Sequence, residues 1–154
     1  PLDAGVRVIA AHCASLGTGT DLDAGPKARA IPNLDLFARL MAERRYEGRL
    51  FGDISAITQV NRKGTVSRIL AHREWDGRLL NGSDYPLPGV VPLFSVDALV
   101  KEGVLPAAAA PVLRKLRQSN ALLFDFVMKR SLSLDGRRFP DSTFETRDFF
   151  ERKA

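Results

Sequence analysis

Three short apolar runs, each closing on a polar side chain, constrain this 154-residue chain more than any other feature. Val6-Arg7-Val8-Ile9-Ala10-Ala11 is β-branched, nearly continuous and ends at His12. Arg49 to Ala56 (RLFGDISA) begins directly after Gly48 and carries Asp53 and Ser55 two apart, hence on one face of an extended chain. Arg78 to Ser83 (RLLNGS) stops at Asp84, because Pro86 has no N–H for a ladder and restricts Tyr85 before it. A continuous run such as the first reads as a parallel strand covered on both faces.

Helical patterns separate the runs. A long loop over 15–32, with Gly17, Gly19, Gly25 and Pro26 spaced through it, reads as an excursion on the active side. Asn33 is placed to cap a helix carrying Leu36, Phe37, Leu40 and Met41, and Gly48 follows where the pattern ends. Val66 to Trp75 repeats Val66, Ile69 and Leu70 at helical spacing, and Asp76-Gly77 turns the chain. Beyond residue 94 the chain reads as helical: Ser95 to Glu102, Pro106 to Arg117, and Asn120 to Ser131 with an apolar stripe of Leu122, Leu123, Phe126 and Val127. The tail after Leu134 has aromatics enough to dock but little periodicity.

Strand, helix, strand, helix, strand, helix predicts successive right-handed βα units in a parallel sheet. His12 and Asp53 stand 41 residues apart, and Asp53 and Asp84 stand 31 apart. An eight-unit barrel of about 250 residues allots about 31 per unit. Three strands cannot close such a barrel, and the chain begins at Pro1 rather than Met, so it is expected to be a piece of something longer.

Composition excludes several classes. Hydrophobic residues at 45% and charged residues at 27% suit a globular domain, not a disordered chain. No stretch approaches the roughly 20 apolar residues of a membrane helix, so no membrane partner is expected. The single cysteine, Cys13, allows no internal disulfide and fits a cytoplasmic location. A net charge of +5 raises the question of nucleic acid, but the basic residues fall in scattered pairs such as Arg44-Arg45 and Arg137-Arg138. They read as solvated surface, and no nucleic-acid partner is expected.

In a parallel βα sheet, chemistry sits at the carboxyl ends of strands. His12 and Asp84 lie there, each able to ligate a metal or move a proton, and Asp53 and Ser55 point toward the same region. On periodicity alone, His12 reads equally as a hydrogen-bonded core histidine and Asp84 as a turn or cap residue. Tyr85 and Trp75 are pocket or core candidates, His72 reads as a mid-helix surface residue, and Cys13 as a small buried side chain.

VRVIAAH, FGDISAI and above all RLLNGSDYP resemble the last three strands of the amidohydrolase superfamily, in its amidohydrolase-related branch of metal-dependent hydrolases. The resemblance covers roughly the first 90 residues, with a looser echo in NALLFDFVMKR. It departs from the family at Cys13-Ala14-Ser15, where a Gly-Gly turn is frequent, and it lacks the family's upstream His-x-His. It implies an α/β fold: the C-terminal part of a (β/α)8 TIM barrel, strands six to eight with their helices, plus a C-terminal helical extension. The βα units would span 1–94 and the extension 95–154 of a single domain.

The function so implied is that of an enzyme, a metal-dependent hydrolase whose activated water attacks a C–N or C–O bond of a small molecule, with this piece inactive alone. Zinc is the expected ion, with His12 and Asp84 as ligands. Asp84 would be the general base, and His12 a second-metal ligand or carbonyl polariser. Asp53, Ser55 and Tyr85 would contact substrate. Decarboxylation or hydration on the same scaffold, or a non-catalytic barrel scaffold, are the alternatives, as is a small basic nucleic-acid-binding module. Homo-oligomerisation stays open.

Overall fold

A computed structural model describes residues 1–151. The last three residues of the expected helical extension lie outside the described residues. In chain order the strands and helices are β1 (Val8–Ala10), β2 (Thr18–Thr20), β3 (Ala30–Pro32), α1 (Asn33–Met41), β4 (Leu50–Asp53), α2 (Thr65–Ala71), β5 (Leu79–Leu80), α3 (Val96–Lys101), α4 (Ala110–Ser119), α5 (Ala121–Ser131) and α6 (Arg147–Phe150). Single 3-10 turns join many of them.

β1, β4 and β5 form an open parallel sheet in that order, with Ile9 beside Phe51 and Asp53 beside Leu80. The expected piece of a TIM barrel is overturned: the structure is a small α/β fold with this three-stranded sheet, a separate two-stranded antiparallel sheet and six helices among the described residues. The chain's own tail shows why the sheet stops. The Asn81 N–H, next after β5, donates to the Thr143 carbonyl at 2.7 Å, so the tail captures the backbone that would prolong the strand. At the other side Phe149 stacks edge-on against Phe51, 4.7 Å between centroids, and the Arg7 guanidinium lies 4.6 Å from the Phe149 ring. The face that would look into a barrel is thus partly covered by the chain's own aromatic residues.

Other expectations shift for local reasons. β1 is shorter than Val6 to Ala11 and is not covered on both faces: Val6 is 52% and Ile9 37% exposed. The expected loop over 15–32 contains β2 and β3, antiparallel with Thr18 beside Pro32. Asn33 does not cap α1; it is the helix's first residue, and its Nδ2 donates to the Leu16 carbonyl at 3.0 Å, tying that hairpin down. Ser95 and Asn120 do cap α3 and α5, accepting from the N–H groups of Ala98 and Leu123 at 3.1 and 2.9 Å. On α5 the expected stripe points the wrong way. Leu122, Leu123 and Phe126 are over 40% exposed, whereas Phe124, Asp125, Met128 and Lys129 are buried.

The core lies between the sheet and the helices, where Trp75 is 1% exposed and meets Phe37 edge-on at 5.3 Å. His72 is not mid-helix: it follows the end of α2 and stacks on Trp75 at 4.0 Å. Gly52 of β4 is what allows α1 to approach. A Cβ there would stand 2.6 Å from Cys13 Sγ and 2.9 Å from Phe37 Cζ, closer than carbon contacts allow.

Gly52→Ala should therefore destabilise the protein by about 1–3 kcal/mol. Urea unfolding followed by Trp75 fluorescence measures it. Cys13→Ala should cost less in the Gly52→Ala background than in the native chain, because it removes one of the two clashing atoms. Equal costs in both backgrounds would show that the contact with Cys13 is not what makes this position a glycine.

Candidate active site

The carboxyl ends of all three parallel strands carry left-handed backbone at residues with a Cβ. After β1 come His12, Cys13 and Ala14 at φ 55°, 51° and 50°, after β4 comes Ala56 at 50°, and after β5 comes Asp84 at 54°. Such conformations cost about 1–3 kcal/mol each and concentrate where function needs a particular side-chain direction. The Ser15 N–H closes the first turn on the His12 carbonyl at 3.0 Å.

These turns bring His12, Asp53, Ser55 and Asp84 together. Asp53 Oδ1 accepts from the backbone N–H of His12 at 3.0 Å, from the backbone N–H of Ser55 at 2.9 Å, and from the Ser55 hydroxyl. The His12 Nδ1 lies 2.7 Å from Ser55 Oγ. Because the hydroxyl's one proton goes to the carboxylate, Oγ is left to accept, and Nδ1 carries the proton. In its neutral form the imidazole then presents the lone pair of Nε2, which lies 3.9 Å from Asp84 Oδ2. Two acceptors aimed at each other across that distance call for a proton or a cation between them. The side chains of His12, Asp53 and Asp84 are 25%, 21% and 31% exposed, so small molecules can reach them.

Cys13 turns the other way. It is fully buried, its thiol donates to the Asp53 carbonyl at 3.2 Å, and burial, with the Asp53 charge adding, pushes its pKa far up, leaving it an inert packing group. Tyr85 is 69% exposed beside Asp84.

Two groups at this site escaped the sequence reading. Arg62, in the basic loop after β4, donates from Nη1 to Ser15 Oγ at 2.9 Å and lies within the fields of Asp84 and Asp53, while burial lowers its pKa. Lys129 on α5 is wholly buried, and its ammonium donates to the Gly82 carbonyl at 2.6 Å and to Asp125 Oδ2 at 2.7 Å. It thereby holds the segment that leads to Asp84. Burial lowers the Lys129 pKa and raises that of Asp125, with each partner's charge opposing the shift. The signal was legible: Asp125 and Lys129 stand one helical turn apart, flanked by Phe124 and Met128, so one face holds both kinds of residue.

As a metal centre the arrangement is partial. Nε2 of His12 and Oδ2 of Asp84 are close enough for one ion at about 2.0–2.2 Å from each. Among the described residues no group of three or more His, Cys, Asp or Glu side chains is placed to hold a metal, and catalytic zinc takes about three protein ligands. The residues fit one edge of a coordination shell and do not complete it. No helix among the described residues is long and apolar enough to cross a membrane. No family model, curated protein or solved structure matches this chain.

The Lys129–Asp125 pair yields a stability prediction. Lys129→Met leaves a buried carboxylate without its counter-charge and should cost about 3–5 kcal/mol, while Lys129→Met with Asp125→Leu should recover most of it. Chemical denaturation of the three proteins measures both. A single variant within 1 kcal/mol of native would show that the pair carries no such burden.

Proposed function

We propose that this chain carries the proton-handling part of a metal-dependent hydrolase with chemistry of the amidohydrolase type, acting on a C–N or C–O bond of a small molecule. The observation that supports it is the facing of His12 Nε2 and Asp84 Oδ2 at 3.9 Å, with Nδ1 already committed to Ser55. The reading rests on strand-end chemistry and needs no barrel.

His12 and Asp84 would hold one side of a divalent ion, zinc by donor type, with further ligands from outside this set. When bound, such an ion lowers the pKa of water and polarises a carbonyl oxygen. Asp84 accepts the proton of the attacking water at its carboxylate and delivers it to the leaving nitrogen or oxygen. The left-handed backbone of Asp84 sets the direction of the Cα–Cβ bond that carries this carboxylate. Ser55 and Asp53 keep His12 in the tautomer with a free Nε2 lone pair, a relay that tunes ligand orientation and basicity. Arg62 supplies positive charge beside both carboxylates. Tyr85, exposed next to Asp84, is placed to meet substrate.

Asp84→Asn tests the assignment. Asn adopts left-handed backbone as readily as Asp, so thermal melting should barely move. Turnover of activated esters and anilides by the protein, with zinc supplied, should fall on the order of 100-fold or more. Near-native turnover would remove Asp84 from the chemistry. Ser55→Ala should lower activity by about 10-fold through loss of imidazole orientation, and an unchanged rate would show that the relay is only structural.

A further inference from the structure

A second concavity lies beside the strand ends, between the connection from β4 to α2 and the helix α3. It measures about 320 Å³, at the lower end of the range for small-molecule pockets. Its floor is aliphatic, formed by Ile57, Val66 and Leu99, each at most 5% exposed. Its rim is cationic, with Lys63 at one lip and Lys101 at the other, both exposed, and Arg62 on the side toward Asp84. Glu102 is the one carboxylate among the lining residues, and its Oε2 is already taken by the Gly64 N–H at 3.1 Å. On the wall, Thr58 is 2% exposed and its hydroxyl has no hydrogen-bond partner.

We propose that this cleft binds a small organic anion with an apolar body, of the arylalkanoate or medium-chain carboxylate class. The aliphatic floor takes the hydrocarbon, and the two lysines take the carboxylate. A bare inorganic anion would leave the floor unused. A neutral apolar molecule would make no use of the lysines on the rim. The proposal involves neither a metal nor turnover and so stands or falls apart from the hydrolase reading.

The test titrates the metal-free protein with phenylbutanoate and, separately, with phenylbutanamide, its neutral isostere, following backbone amide NMR signals. The acid should bind saturably, with shifts centred on Thr58, Gln59, Lys63, Ala98 and Lys101, and the amide should bind about fivefold or more weakly. Replacing both exposed lysines, Lys63→Gln with Lys101→Gln, should weaken the acid by about the same factor and leave the amide unchanged. The isostere comparison is made on the native protein and needs no variant to fold. Equal affinity for acid and amide, shifts centred on His12 and Asp84 instead, or absence of saturation would each overturn the proposal.

Discussion

One oxygen atom organises the functional end of this molecule. Oδ1 of Asp53 accepts from two backbone N–H groups and a hydroxyl, joining the turn after β1 to the turn after β4. Without that acceptor, the His12 N–H in a left-handed turn would have no partner at this depth, and the turn would lose the interaction that offsets its strain. The same hydroxyl that donates to Asp53 accepts from His12, so orientation, tautomer and backbone conformation all pass through one short network.

The far side of the site is held differently. Lys129 reaches from α5 through the core to the Gly82 carbonyl, two residues before Asp84. A buried ammonium is costly, and Asp125 one turn earlier offsets it. In the observed orientation of α5 the ammonium and one carboxylate oxygen, Oδ2, are paired, while Asp125 Oδ1 is buried without a partner. That orientation buries Phe124 and Met128 beside the pair and turns Leu122, Leu123 and Phe126 outward. The observed orientation leaves those three side chains partly exposed.

The tail explains why the sheet does not grow. Thr143 takes the Asn81 N–H just past β5, and Phe149 occupies part of the sheet face beside Phe51 and Arg7. A segment with little periodicity thus reaches both the end of β5 and part of the sheet face. Spacing between strand ends, of which only the Asp53 to Asp84 interval matched a barrel unit, carries no information about such a late-arriving cover.

The sequence by itself determined where extended chain turns to helix. Apolar runs ending at His12 and near Asp53 and Asp84 place the parallel strands, and Ser95 and Asn120 cap their helices through bonds made within a single turn. It also placed His12, Asp53, Ser55 and Asp84 at or just past strand ends, because alternation and termination are local properties of a chain. Tertiary structure decided the rest. Whether α5 buries its leucines or its Asp–Lys pair depends on what faces it, the carbonyl of Gly82, which lies 47 residues away. Whether three strands join a barrel or close against their own tail depends on contacts such as Arg7 with Phe149, across 142 residues. Burial and charge pairing over such distances are set by the assembled shape, which no periodicity within one element encodes.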